Sequence, residues 1–145
     1  ARVQCQINRM TYGDPIPVST LVKKMCDYKQ SFTQYGGARP FGTALLIAGV
    51  DDEGIHLFET DPSGAYQSYR AGAIGRSRSS VIDYFENKWK SGMTKNAAIK
   101  LGLEALRESL EDELNPDTVE IASVDKDGYS KMDRETTLKH LAKLS

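Results

Sequence analysis

The residues of this chain that could do chemistry are few, and each grouping reduces to something simpler. GARPFGT, residues 37–43, has the glycine spacing of the phosphate loop G-x-x-x-x-G-K-[ST] without its lysine. It also follows a helical pattern and precedes a strand, the reverse of the order that aims a helix N-terminus at a phosphate. GAIGRSRSS, residues 72–80, is the better anion candidate, because Arg76 and Arg78 stand at the start of a helical pattern. Two arginines there are read as solvated side chains.

Metal chemistry finds little support. His56 and His140 are the only histidines, and no third soft ligand stands at a useful spacing for zinc. DDEG (51–54) and DKDG (125–128) begin like calcium loops, but their glycine comes at the fourth position instead of the sixth and no glutamate follows at the twelfth. They read as turns. No metal and no cofactor is expected.

Nucleophilic chemistry is no better supplied. There is no G-x-S-x-G elbow, and Ser63 lies in the turn DPSG. A Thr, Ser or Cys activated by its own terminal amine needs to be the first residue, which here is Ala1. Thr43 is internal, so its nitrogen is an amide and accepts no proton. It reads as a strand residue chosen for β propensity. No catalytic residue is assigned.

The elements that hold these residues follow from periodicity. Val3, Ile7 and Met10 form one helical stripe, which TYGDPIP ends. Val18, Leu21, Val22, Met25, Cys26 and Phe32 share a face of a second helix that begins after Pro17 and stops near Tyr35 at Gly36-Gly37. GTALLIAGV is a strand with Leu45 and Ile47 on one side and Leu46, Ala48 and Val50 on the other, so both faces ask for cover. DDEG turns it into IHLFET, DPSG turns that again, and AYQSYRAGAIG carries a third strand. Residues 77–90 form a helix with Val81, Ile82, Phe85 and Trp89 on one face. Thr94 caps the next helix, whose stripe Ile99, Leu103, Leu106 and Leu110 is widened by Ala98, Leu101 and Ala105, as for contact with a sheet and a helix together. A hairpin across DKDG and a short helix capped by Asp133 complete the pattern. The order α, α, β, β, β, α, α, β, β, α argues for an α+β domain of antiparallel strands layered with helices.

The bulk numbers agree. A chain of 145 residues suits a single domain, residues 1–145. With 19 Lys and Arg against 20 Asp and Glu, it has no electrostatic pull toward nucleic acid or an anionic membrane. The longest apolar run, TALLIAGV, is far short of a membrane span, and ARVQCQINRM has no signal-peptide core. Cys5 and Cys26 read as two buried thiols in a reducing compartment.

QYGGARPFGTALLIAGVDDEG, followed by DPSGAYQSYRAGAIG, resembles the α-type subunits of the proteasome core particle, with INRMTYGDPIPV and FTQYGG closer to archaeal than to eukaryotic members. The likeness covers essentially the whole chain. Its signature positions are Gly36, Gly37, Arg39, Pro40, Phe41, Gly42, Asp61, Pro62, Gly64 and Gly75. The resemblance implies a four-layer αββα sandwich of antiparallel sheets, the N-terminal-nucleophile hydrolase-like fold, here incomplete at its N-terminus. The gating tail, the first strands and the lysine that anchors activator C-termini fall in the part expected to be missing. GRSRSS stands where relatives often carry a glycine-rich loop.

The function so implied is structural. A non-catalytic subunit joins other α-subunits in a heptameric ring on the β-subunits, admits unfolded polypeptide and docks a regulatory ATPase or other activator. Neither nucleic acid nor membrane is an expected partner, and the expected location is the cytoplasm, with the nucleus added for a eukaryote. Val18, Leu21, Met25 and Phe32 are candidate subunit-interface residues, with core packing as the alternative for each. Arg39 is expected to tie its turn to neighbouring backbone or carboxylates, with Phe41 packed beneath; an exposed turn arginine is the alternative. The competing reading is a cropped β-type subunit or related hydrolase acting as a threonine-type peptidase; a third is a stand-alone α/β binding module.

Overall fold

Helix α2, Val18–Gln34, is organised by a four-residue repeat: Val18, Val22 and Cys26 fall on one face and are buried. It belongs to the first of two units, Ala1–Arg70 and Ala71–Ser145, of a computed structural model that describes residues 1–109 and 114–144. Each unit is taken by itself.

In the first unit, α1 (Arg2–Tyr12) ends where Gly13 turns left-handed and its amide bonds the Arg9 carbonyl at 2.9 Å. No residue of α1 is buried, and Val3, Ile7 and Met10 face outward. The stripe legible in the sequence therefore finds no partner within the unit. Strands β1 (Leu45–Asp51), β2 (Gly54–Thr60) and β3 (Tyr66–Ser68) form an antiparallel sheet in that order. Asp51 pairs with Gly54 across a two-residue turn, and the ladder runs to Leu45 opposite Thr60.

Helix α2 covers one face of this sheet. Val18, Val22, Cys26 and Phe58 form the core, with Ile47 packed against it. The approach is close at two glycines. A Cβ on Gly49 would lie 2.5 Å from a Val18 methyl, and one on Gly64 would lie 2.7 Å from the Cys26 carbonyl oxygen. Gly64 also has φ +94°, so the DPSG turn suits glycine twice over. The opposite face carries Leu46, Ala48 and Val50 beside Leu57 and Ile55, and Leu46, Ala48 and Ile55 are exposed. Strand β1 was expected to be covered on both faces. Within its unit only one is, because the unit supplies a single helix layer to the sheet.

In the second unit, α3 (Arg78–Lys88) packs on α4 (Lys95–Ser109). Trp89, read as part of the first helix's face, is instead its extended C-cap. Thr94 does cap α4, its hydroxyl accepting the Ala97 amide at 3.3 Å. Strands β4 (Ala122–Asp125) and β5 (Gly128–Lys131) pair across the DKDG turn, and α5 (Arg134–Leu141) runs into a 3-10 turn at Ala142–Leu144. Asp133 caps α5 by accepting the Thr136 amide at 2.7 Å. Leu103 of α4 meets Val119 and Ile121, with Ile99, Met132 and Leu141 around them, while Leu101 and Ala105 are buried as well. The wide stripe of α4 thus serves two neighbours; Leu110, assigned to it, lies outside the described residues. Arg134 grips Asp117 with two hydrogen bonds, 3.0 and 3.1 Å, tying α5 to the segment before β4. Mixed helices and antiparallel hairpins make this an α+β fold.

Candidate functional site

Six of the signature residues, Gly36, Gly37, Arg39, Pro40, Phe41 and Gly42, lie where α2 hands the chain to β1. The helix stops at Gln34, Gly37 takes φ +85°, and the Ala38 amide bonds the Tyr35 carbonyl at 3.3 Å. Gly36 and Gly42 need no left-handed backbone and stand in open space, so of these three glycines only Gly37 has a conformational reason. Phe41, expected to pack beneath the turn, is 37% exposed and meets Phe32 and Tyr28 with ring centroids 5.0 and 5.9 Å away. Arg39 does not behave as expected. It is exposed and has no hydrogen bond or ion pair among the described residues. No carboxylate occurs between residues 28 and 44, so the turn offers its guanidinium no local partner.

The tie comes from Lys29 instead. This lysine is only 4% exposed, and its Nζ donates to the Thr43 carbonyl at 2.9 Å and to Thr60 Oγ1 at 3.1 Å. One ammonium therefore joins α2 to the entry of β1 and the exit of β2. The sequence carried the hint: Lys29, three residues after Cys26, falls on the same helix face as Val18, Val22 and Cys26.

The DPSG turn closes on itself. Asp61 accepts the Ser63 amide (2.7 Å), the Ser63 hydroxyl (2.6 Å) and the Ala65 amide (3.2 Å), while the Gly64 amide bonds the Asp61 carbonyl at 3.2 Å. The Ser63 hydroxyl above all, aided by these amides, holds the Asp61 carboxyl below the ordinary value. Pro62 is exposed. Gly75 lies in the second unit, where its carbonyl accepts the Arg78 amide at 3.3 Å.

A second polar grouping was not foreseen. Asp51 Oδ2 accepts the Val18 amide at 2.9 Å, and Oδ1 takes the Glu53 amide at 3.0 Å and His56 Nε2 at 2.8 Å. The Val18 amide leads in lowering the Asp51 carboxyl, and His56 adds to it. Asp51, Glu53 and His56 are the one trio among the described residues whose donor atoms lie within 4.8 Å. Their chemistry is that of a helix cap: Pro17 has no side chain able to cap α2, and Asp51 does so from the end of β1. His56 lies within β2. Its register opposite Gly49, on the same side of the sheet as Asp51, brings the two together.

The interface candidates divide. Val18 is taken up by its own core, whereas Leu21, Met25 and Phe32 are half-buried. Cys26 is buried, and burial pushes its thiol up; Cys5 is half-buried instead of buried, and both are free. In the second unit, Arg76 is exposed and Arg78 half-buried at the start of α3. Beside them a cavity of about 790 Å³ opens between α3, α4 and β4, lined by Val81, Phe85, Ile99, Leu106 and Ile121 among others. Its described lining holds no histidine, cysteine or aspartate.

Comparison with known proteins decides what this assembly of turns and caps belongs to. The family model described as "Proteasome subunit" matches residues 1–124. The chain belongs to the proteasome subunit family. It is 53% identical over 135 residues to a proteasome subunit alpha of Methanopyrus kandleri, covering 93% of this chain and 55% of that protein. It is 52% identical over 125 residues to the proteasome subunit alpha of Methanothermobacter thermautotrophicus (86% and 50% covered) and 50% identical over 136 residues to that of Archaeoglobus fulgidus (94% and 52% covered). The chain spans about half the length of the curated relatives it matches. The resemblance carried by YGGARPFG and DPSG is borne out, including its archaeal leaning.

Proposed function

We propose that this protein is a non-catalytic, structural α-type subunit of a proteasome core particle. One observation carries the proposal: 53% identity across 93% of the chain to a protein named proteasome subunit alpha. In this reading it joins other α-subunits in a ring stacked on β-subunits, controls the entry of unfolded polypeptide and offers a docking surface to a regulatory ATPase. The side chains fit a wall more readily than a reactive centre. The Thr43 carbonyl is held by buried Lys29, Thr60 is fully buried, and the Ser63 hydroxyl is engaged within its own turn.

The complete domain is proposed to be the four-layer αββα sandwich. Two surfaces support this: the apolar sheet face of the first unit, which has no layer over it within that unit, and the apolar cavity beside β4 in the second. A single family model covering residues 1–124 runs through both units and favours one domain. A reducing, cytoplasmic setting suits the two free thiols.

The test is direct. The intact protein, purified without companion subunits, is imaged by electron microscopy and assayed on fluorogenic peptides. Rings without peptide cleavage are the expected result. Peptide hydrolysis by the protein alone overturns the structural reading in favour of the threonine-type peptidase.

A further inference from the structure

The polar cluster at the start of α2 holds more negative charge than a helix cap needs. Asp51 and Glu53 bring two carboxylates together with one imidazole, and the donor atoms of Asp51, Glu53 and His56 all lie within 4.8 Å of one another. No lysine or arginine occurs between residues 40 and 69 to neutralise them. The Glu53 carboxylate makes no hydrogen bond or ion pair among the described residues. Acids elsewhere are matched: Asp117 by Arg134, Glu120 by Lys131 and Glu135 by Lys139.

The trio sits on the sheet face that α2 covers, away from the open one. His56 pairs with Gly49, which lies against Val18, and Asp51 reaches the Val18 amide. Each donor is held from a different side. The register that sets Asp51 opposite Gly54 fixes the two-residue turn bearing Glu53. The imidazole stacks on the core residue Phe58, with centroids 6.1 Å and planes 13° apart. Its Nε2 already faces Asp51 Oδ1 at 2.8 Å. The Asp51 and His56 side chains are 13% and 19% exposed, whereas Glu53 is exposed, so one side of the cluster opens to water. Asp51 caps α2 through Oδ2, so an ion taken at Oδ1 in place of the His56 hydrogen bond leaves the cap intact.

We propose that Asp51 Oδ1, a Glu53 carboxylate oxygen and His56 Nε2 bind one divalent transition-metal ion of the zinc class. Two carboxylates and a neutral imidazole balance the charge of a divalent ion. An imidazole with two carboxylates is a zinc-type donor set, with water completing the coordination, whereas calcium and magnesium take oxygen ligands. Bound there, the ion joins the end of β1, the turn and the start of β2, and through Asp51 the first turn of α2. Such a staple goes beyond the α-subunit role and does not depend on it.

The experiment compares the intact wild-type protein with His56→Gln and Glu53→Gln, each stripped with EDTA and dialysed against zinc sulfate. Asp51 is left in place because its loss opens the helix cap. Bound zinc is read by inductively coupled plasma mass spectrometry, and folding by circular dichroism melts with and without zinc. Wild type is expected to bind one more zinc ion per chain than either variant at limiting zinc. Each variant should lose affinity at least about tenfold, no less than the loss of an outer-shell partner of a metal ligand. Zinc should raise the wild-type melting temperature and leave both variants unmoved. A wild type that binds no zinc overturns the proposal, as does equal binding in wild type and His56→Gln. Displacement of the zinc by calcium at equal concentration overturns the assignment of the imidazole as a ligand. Should His56→Gln fold poorly, Glu53→Gln decides, since it alters an exposed side chain with no bond to lose: unchanged binding in that variant refutes the site.

Discussion

The carboxylate of Asp51 accepts the amide of Val18 at 2.9 Å across 33 residues of sequence, so the last residue of a strand caps the first turn of a helix. Helix, strand and hairpin turn are thereby joined at one side chain, and the same carboxylate also receives His56.

That cap predicts a pH dependence. The folded Asp51 carboxyl lies below its ordinary 3.8, chiefly through the Val18 amide. A depressed carboxylate contributes stability that is full above the unfolded value and disappears as pH falls through the folded one. Asp51→Asn should therefore lower stability at pH 7 and shrink the loss seen on acidification below about 3.8. Asp61, Asp117 and Asp133 are depressed too, so part of the acid loss persists in the variant. Urea titrations at pH 7 and pH 3 decide it: parallel acid losses in wild type and variant would exclude Asp51 as a contributor.

Lys29 and Thr60 form a buried polar pair whose worth depends on both members. Lys29→Met leaves the Thr60 hydroxyl and the Thr43 carbonyl without this donor and should cost about 1–3 kcal/mol. The double variant Lys29→Met/Thr60→Val removes both polar side chains and should recover the part of that loss that comes from Thr60, while the Thr43 carbonyl stays without this donor. A double-mutant cycle by urea denaturation measures the coupling, and strictly additive effects would remove the lysine's assigned role.

The signature glycines are not equivalent. Gly64→Ala forces a left-handed φ on alanine and pushes a Cβ to 2.7 Å from the Cys26 carbonyl, which should cost at least about 1–3 kcal/mol. Gly36→Ala meets open space at ordinary φ and should stay within about 0.5 kcal/mol. Thermal melts of the two variants compare them; equal shifts contradict the close-approach account of DPSG.

The open sheet face makes a prediction about residues 1–145 expressed alone. Leaving Leu46 and Ile55 uncovered forfeits roughly 3–6 kcal/mol, at about 1.5–3 kcal/mol each. Whole-domain stability is typically about 5–15 kcal/mol. This segment should aggregate or melt without cooperativity, and Ile55→Lys with Leu46→Lys should reduce the aggregation. Sedimentation velocity with calorimetry reads both, and a sharp melt of a monomer would falsify the prediction.

The amino-acid sequence by itself determined what depends on near neighbours. Periodicity located five helices and five strands, and Thr94 and Asp133 announced their caps. DDEG, DPSG and DKDG announced their turns, because capping and turn chemistry act over two to four residues. YGGARPFG and DPSG also sufficed for the family. Only the tertiary structure decided which partners distant residues chose. Periodicity states that a face is apolar but not what covers it, so β1's second face asked for cover that its unit does not supply, and the stripe of α1 likewise stays open within the unit. Arg39, read as the tie of the central turn, stays in solvent, and buried Lys29 does that work across 14 and 31 residues. Such contacts follow from how a helix settles on a sheet, a balance of packing and desolvation over the whole unit that no short window of sequence contains.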